Sequence, residues 1–107
     1  SRVRGVEVSQ KGYIVAEVKA HDLEAMAQYR TLSTAAVQQY GGRFIVRGGA
    51  SEILEGKWSP PERMVVVEFD SVEQAKRFYD SPEYQAARKV RENAAQMNML
   101  VIAGVES

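Results

Sequence analysis

The stretch GYIVAEVK, residues 12–19, decides the fold that the sequence predicts. Ile14, Ala16 and Val18 alternate with a second series of side chains, which is the two-residue period of a β-strand. Asp22 follows as a suitable helix cap, and apolar side chains then recur at three- and four-residue spacing until a pair of glycines ends the helix. This part of the chain therefore predicts a strand followed by a helix that packs on it.

Three further strands are predicted outward from this unit. Residues 43–47 form the second, residues 63–69 the third and most apolar one, which we expect at the centre of the sheet, and residues 97–105 the last. Gly48-Gly49 permits a bulge or a close backbone approach. Residues 51–54 are expected to extend the second strand or to form a short ribbon.

Helical segments separate the third strand from the last. Asp70 or Ser71 is the expected cap of one segment, and Ser81 is the cap of its continuation. Trp58 and the Pro60-Pro61 pair predict an exposed loop before the third strand. The element order β-α-β-β-α-β predicts an α+β domain of the ferredoxin-like kind, a four-stranded antiparallel sheet with its helices on one face.

Length and composition limit the possible roles. The 107 residues suit one domain, which we place at residues 11–107 after an N-terminal arm at residues 1–10. Fourteen basic and fourteen acidic side chains balance, so a nucleic-acid partner is not expected. Cysteine is absent, which favours a cytoplasmic location, and the longest apolar run is far below the roughly 20 residues of a membrane-spanning helix.

Helices on one face of the sheet leave the other face bare. Strict alternation places twelve residues there: Tyr13, Val15, Glu17, Arg43, Ile45, Arg47, Met64, Val66, Glu68, Met99, Val101 and Ala103. This set is too apolar to be left to water, yet it contains two carboxylates and two guanidiniums. It predicts a homodimer in which a second subunit covers the face.

Glu17 and Glu68 are the candidate catalytic residues. They fall on adjacent central strands and on the same predicted face, where cross-strand neighbours lie close enough for two carboxylates to share a proton. In an enclosed cleft, one of them would serve as a general acid or base. The alternative is that Arg43, Arg47 or Arg63 pairs with these carboxylates and that they only fix the dimer.

Four other residues are candidate ligand contacts. Arg47 stands beside two glycines, as would suit a carboxylate or another small anion, although the same glycines also suit a simple turn. Tyr13 and Tyr29 are candidates for a pocket wall, because they are the tyrosines least expected in the core. Arg88 either belongs to a solvated helix face or points toward the cleft.

The sequence predicts neither a cofactor nor a metal site. His21 is the only histidine, and its neighbours do not supply a set of metal ligands, so a solvated loop residue is expected. Ser33-Thr34 has no histidine partner, and no glycine-rich phosphate loop follows a strand.

Several linked motifs make the chain similar to a known family. They are Tyr29-Arg30, the segment from Tyr40 through Gly49, Leu54-Glu55-Gly56, residues 63–69, Ser81-Pro82-Glu83-Tyr84 and Arg88. Together they resemble family 1330 of the domains of unknown function, in the dimeric α-β barrel superfamily, over about residues 11–105. The resemblance implies a dimer in which two four-stranded sheets face each other. It implies no reaction, although the wider superfamily includes cofactor-free monooxygenases, lactone isomerases, haem enzymes and ligand-binding domains.

The leading hypothesis is a cytoplasmic homodimer that binds a small organic acid or aromatic molecule. Its pocket would lie between sheet and helices or at the barrel mouth, lined by Tyr13, Tyr29, Arg47, Glu68 and Arg88. If the site is catalytic, we expect metal-free acid/base or oxygenase chemistry with a glutamate as proton carrier. The alternative is a non-catalytic assembly module whose charged sheet face only fixes the dimer. A nucleic-acid module is opposed by the balanced charge and by the lack of an aromatic strand motif.

Overall fold

The computed structural model describes residues 2–3, 5–7, 9–59 and 62–107. Its elements, in chain order, are β1 (Arg2–Val3), β2 (Val6–Glu7), β3 (Gln10–Ala20), α1 (Leu23–Gln39), β4 (Arg43–Arg47), β5 (Arg63–Phe69), α2 (Val72–Asp80), α3 (Pro82–Arg91) and β6 (Ala95–Glu106). Ser1, Arg4 and Val8 of the predicted arm, and the Pro60-Pro61 pair of the predicted loop, lie outside the described residues.

Four of the strands form one antiparallel sheet in the order β4-β5-β3-β6. β5 and β3 are therefore the central strands, which confirms the central position predicted for residues 63–69. The α+β, ferredoxin-like fold class is also confirmed. β1 and β2 pair separately as a short antiparallel ribbon within the predicted arm.

Each helix begins at a predicted cap. The side-chain oxygen accepts a hydrogen bond from the backbone N–H three positions on, at 3.1 Å for Asp22, 3.0 Å for Ser71 and 3.1 Å for Ser81. α1 ends where Gly41 adopts a φ of +75°, a conformation that side chains disfavour. The caps and this glycine fix where the chain enters the three helices and where it leaves α1.

The hydrophobic core lies between the helices and one face of the sheet. Its strand side chains include Ile14, Val18 and Val67, and its helix side chains include Phe78 and Tyr84, all of them buried. The buried positions of β3 are every second residue, as the opening stretch of sequence predicted.

The prediction that Arg47 lies on the bare face is wrong. The register between β4 and β5 shifts by one residue between Phe44 and Val46, so Arg47 lies opposite Val65 on the helix side of the sheet. Of the two features that Gly48-Gly49 permits, the bulge lies instead between Phe44 and Val46. Because side chains alternate with a period of two, this single extra residue reverses the direction of Arg47.

The predicted orientation of the last strand is also wrong. β6 pairs with β3 so that Met99, Val101 and Ala103 stand beside the helix-facing positions of β3, while Leu100 and Ile102 take the outward positions. Residues 99–103 are apolar throughout, and hydrophobic alternation cannot choose a face where both series are apolar.

Residues 51–54 form no strand or ribbon. The segment from residue 50 to residue 59 is irregular, and Leu54 is almost fully exposed. The prediction of an extended second strand is therefore wrong, and β4 ends at Arg47, where Gly48 turns with a φ of +75°.

Candidate ligand-binding site

A cavity of about 310 Å³ lies between the sheet and the helices. Its walls are mainly apolar. The strands contribute the helix-facing side chains of Ala16 and Val65, α1 contributes Met26 and Val37, and β6 contributes Met99. This volume lies at the lower end of the range typical of small-molecule sites.

Three arginines line one part of this cavity. Arg30 lies on α1, Arg47 ends β4, and Arg63 begins β5. Within the described ranges, no carboxylate lies within ion-pair distance of any of these guanidiniums. Exposed residues among the lining, including Arg30 and Leu23, mark the side where the cavity opens.

Arg47 is held in place by its neighbours. Its Nη2 donates a hydrogen bond of 2.6 Å to the hydroxyl of Thr34, and its guanidinium carbon lies 3.7 Å from the centre of the Phe44 ring. Burial, together with the positive charges of Arg30 and Arg63, lowers the pKa of Arg47. Burial is the larger cause of this lowering, and the smaller part that comes from the two neighbouring arginines is repulsion that a bound anion would offset.

The close backbone approach allowed by the glycine pair occurs at Gly48. A Cβ on this residue would clash with Nη1 of Arg63, and the N–H of Gly48 donates a 2.7 Å hydrogen bond to the carbonyl of Met64. The glycine therefore leaves the space in which the Arg63 guanidinium packs beside the end of β4.

Two buried tyrosines line the same cavity. The hydroxyl oxygens of Tyr29 and Tyr84 are 2.6 Å apart, and their rings meet edge to face. Burial, with smaller contributions from Tyr84, raises the pKa of Tyr29 well above its ordinary value. The guanidinium of Arg91 lies 5.4 Å from the centre of the Tyr29 ring. Tyr29 is therefore a neutral phenol that can donate a hydrogen bond.

Sequence reasoning missed Tyr84, because its position on a buried helical stripe predicts only a core residue. A signal was nevertheless present, since a buried tyrosine needs a partner for its hydroxyl group. Arg30 and Arg63 were likewise not singled out as ligand contacts, because only the bulge in β4 brings Arg47 to their side of the sheet.

Glu68 lies on the opposite face, away from the cavity. It accepts hydrogen bonds from Arg43 and from the hydroxyl of Tyr13, the latter at 3.0 Å. The bond from Arg43, followed by that from Tyr13, lowers the pKa of Glu68. Of the arginines considered as partners of this carboxylate, the structure thus pairs Arg43 with Glu68.

The predicted sharing of a proton between Glu17 and Glu68 is wrong. Glu68 stands opposite Tyr13, whereas Glu17 stands opposite Met64, four residues further along β3. Four residues of strand span about 13 Å, which is too far for two carboxylates to interact directly. Glu17 instead accepts a 3.1 Å hydrogen bond from the side-chain amide of Asn98.

Arg88 does not line the cavity. It donates a 3.0 Å hydrogen bond to Gln85 and lies 5.0 Å from the centre of the Tyr79 ring. Of the predicted ligand contacts, the structure thus brings together Tyr29 and Arg47, and it places Tyr13 and Arg88 elsewhere.

His21 is exposed in the bend before α1, as predicted. Within the described ranges, no three histidine, aspartate or glutamate side chains are placed to hold a metal ion. In the same ranges, no helix has the length and apolar character needed to cross a membrane.

Comparison with known proteins supports the fold and gives no reaction. A family model described as a domain of unknown function, DUF1330, matches residues 11–105. A protein of unknown function from Rhodopseudomonas palustris superposes with a TM-score of 0.71 at 20% identity, over 91% of this chain and 84% of the other. None of the curated proteins compared with the chain matches it significantly.

Two more distant structures share the fold. A provisionally named antibiotic biosynthesis monooxygenase from Nitrosomonas europaea gives a TM-score of 0.58 at 14% identity, with 94% of both chains covered. A dimeric ferredoxin-like protein of unknown function from Thermobifida fusca gives 0.55 at 16% identity, over 89% of this chain and 92% of the other. At these identities the likeness concerns the fold alone.

Proposed function

The chain belongs to the DUF1330 family, whose description assigns no activity, and we propose that it binds a small amphipathic organic anion in the cavity between its sheet and its helices. The observation that carries this proposal is the combination of apolar walls with three arginines that have no carboxylate partner among the described residues. The apolar part of the ligand would displace water from the walls, and its carboxylate would lie against the guanidiniums.

The nature of the arginines supports an organic acid. A guanidinium is a planar donor that can bind both oxygens of a carboxylate at once. Arg47 is already oriented by Thr34 and Phe44, so little conformational freedom would be lost when it binds an anion. An aromatic or branched acid would suit the volume and the walls equally well.

We further propose that the protein is a homodimer. Leu100 and Ile102 are 54% and 53% exposed on the outward face of the sheet, and Val46 is also exposed there. A second copy placed sheet to sheet would cover these side chains and enclose the Arg43–Glu68 pair. The protein from Thermobifida fusca is described as dimeric, which supports a dimer for a chain of this fold.

A second candidate function is cofactor-free acid/base or oxygenase chemistry on the bound ligand. It is favoured by the buried hydroxyl pair of Tyr29 and Tyr84 inside the cavity. The catalytic role predicted for Glu68 and Glu17 stays a prediction, and it would require a substrate between the two sheets. The cytoplasmic location also stays a prediction.

Isothermal titration with octanoate and with its uncharged analogue octanamide tests the binding proposal. We expect octanoate to bind and octanamide to bind at least about tenfold more weakly, because a hydrogen bond to a charged group contributes about 1.5–3 kcal/mol. Arg47→Gln should weaken octanoate binding by about tenfold or more for the same reason.

Arg77→Gln is the matched control, since Arg77 is an exposed arginine on α2 that does not line the cavity. It should leave octanoate binding unchanged. Equal binding of acid and amide, or equal weakening in both variants, would contradict the proposal. Absence of binding by octanoate and by a panel of aromatic acids would favour the assembly module instead.

A further inference from the structure

The hydroxyl groups of Tyr29 and Tyr84 leave one donor without an acceptor. At 2.6 Å the two oxygens share one hydrogen bond, in which one phenol donates and the other accepts. The accepting phenol still carries its own O–H. A phenol has one hydrogen to donate, so this second hydrogen needs an oxygen or nitrogen acceptor outside the pair.

The side chains described around the pair do not supply that acceptor. The guanidinium of Arg91 packs against Tyr29, but a guanidinium only donates hydrogen bonds. The hydroxyl of Ser33, which also lines the cavity, donates to the carbonyl of Arg30 at 3.3 Å and makes no hydrogen bond with either phenol. Among the described residues, neither phenol donates a hydrogen bond outside the pair.

Because no acceptor for this donor is found among the described residues, a ligand in the adjoining cavity is the source that we consider. Tyr84 is 1% exposed and Tyr29 is 8% exposed, yet both line the cavity wall. A buried hydroxyl group without a partner is unfavourable, which makes this position a favourable one for an acceptor that enters with a ligand. Burial raises the pKa of Tyr29, so that phenol keeps its hydrogen throughout the neutral range.

We infer that the ligand carries a second polar group, an acceptor oxygen such as a ketone or ester carbonyl, which receives a hydrogen bond from the Tyr29–Tyr84 pair while its carboxylate lies against Arg47 and its neighbours. The inference rests on the proposed binding of an organic anion and narrows its class. The cavity would then select oxo acids, molecules whose two oxygen functions are separated by an apolar spacer.

Matched pairs of ligands test this inference on the full chain. Each pair consists of a straight-chain acid with a ketone at its penultimate carbon and the same acid with a methylidene group in place of the ketone. The two members have nearly the same shape, and only the ketone accepts a hydrogen bond. A series from five to ten carbons allows the spacing between the two functions to be found by titration calorimetry.

We expect at least one oxo acid to bind about tenfold more tightly than its methylidene partner, as one well-formed hydrogen bond in a buried site allows. The double variant Tyr29→Phe/Tyr84→Phe should abolish that preference and keep binding of the methylidene acid. The single variants show which phenol donates. Tyr40→Phe is the control, since Tyr40 donates its hydrogen bond to Glu83 and does not line the cavity.

Near-ultraviolet difference absorption of the unmodified protein gives a second readout, which does not depend on whether the variants fold. The oxo acid should shift tyrosine absorption, and its methylidene partner should not. If acids bind without any preference for the ketone, or if the preference survives in the double variant, the inference is overturned while the proposed function stands. If no member of either series binds, and octanoate does not bind, the proposed function itself fails.

Discussion

Leu100→Ala/Ile102→Ala should weaken the homodimer strongly. Both side chains point outward from β6 and are about half exposed in the single chain. Full burial of such a side chain stabilises by about 1.5–3 kcal/mol, so covering the exposed half contributes about 0.8–1.5 kcal/mol for each residue. In a two-fold symmetric dimer each substitution occurs once in each subunit. The double variant should therefore lose about 3–6 kcal/mol of association free energy.

That loss corresponds to an increase of about two to four orders of magnitude in the dimer dissociation constant. Sedimentation velocity over a dilution series, from high micromolar to nanomolar protein, measures the constant for both proteins. Leu54→Ala is the matched control, because Leu54 is 91% exposed in the irregular segment after β4 and should leave the dimer unchanged. A parent protein that is monomeric at micromolar concentration would refute the reasoning from the bare face, as would a double variant with an unchanged dissociation constant.

Two further predictions concern the ends of the β4–β5 pair. Gly48→Ala should lower the free energy of unfolding by about 1–2 kcal/mol, because φ is +75° there and the new methyl group would displace the Arg63 guanidinium. Chemical denaturation measures this loss, and an unchanged denaturation midpoint would contradict the prediction. Arg43→Gln should raise the pKa of Glu68 further than Tyr13→Phe does, since Arg43 is the larger cause of its lowering. Because the folded-state pKa is lowered, the pairing stabilises the protein above the ordinary carboxyl range and is lost as pH falls through the lowered value. Carboxyl-carbon NMR titration of the variants checks the order, and equal shifts would show that Arg43 is not the dominant partner.

Local sequence signals predicted the elements well because each element has its own physical cause. Asp22, Ser71 and Ser81 are side chains that satisfy the free N–H groups of a helix start, and all three act as caps. The alternation in residues 12–19 assigned both faces of β3 correctly, because one of its series is buried in the core and the other is not.

The site was harder to predict, because it depends on registers that the sequence does not specify locally. One bulged residue in β4 moved Arg47 across the sheet and into the cavity. The spacing of Glu17 and Glu68 depended on the pairing of β3 with β5, which no local pattern determines. The partnership of Tyr29 and Tyr84 joins residues 55 positions apart in sequence, so only the packing of α1 against α3 reveals it.

The pairing of β3 with β5 and β6 gives the sheet two faces with different surroundings. Along β3, one series of side chains forms the cavity wall and the core, and the alternate series faces outward beside Glu68 and Leu100. Substitutions that remove apolar area from the outward face are therefore expected to leave the arginines and the tyrosine pair in place. The proposed dimer interface and the proposed ligand site therefore lie on opposite faces of one sheet, so we expect a substitution in one to have little effect on the other.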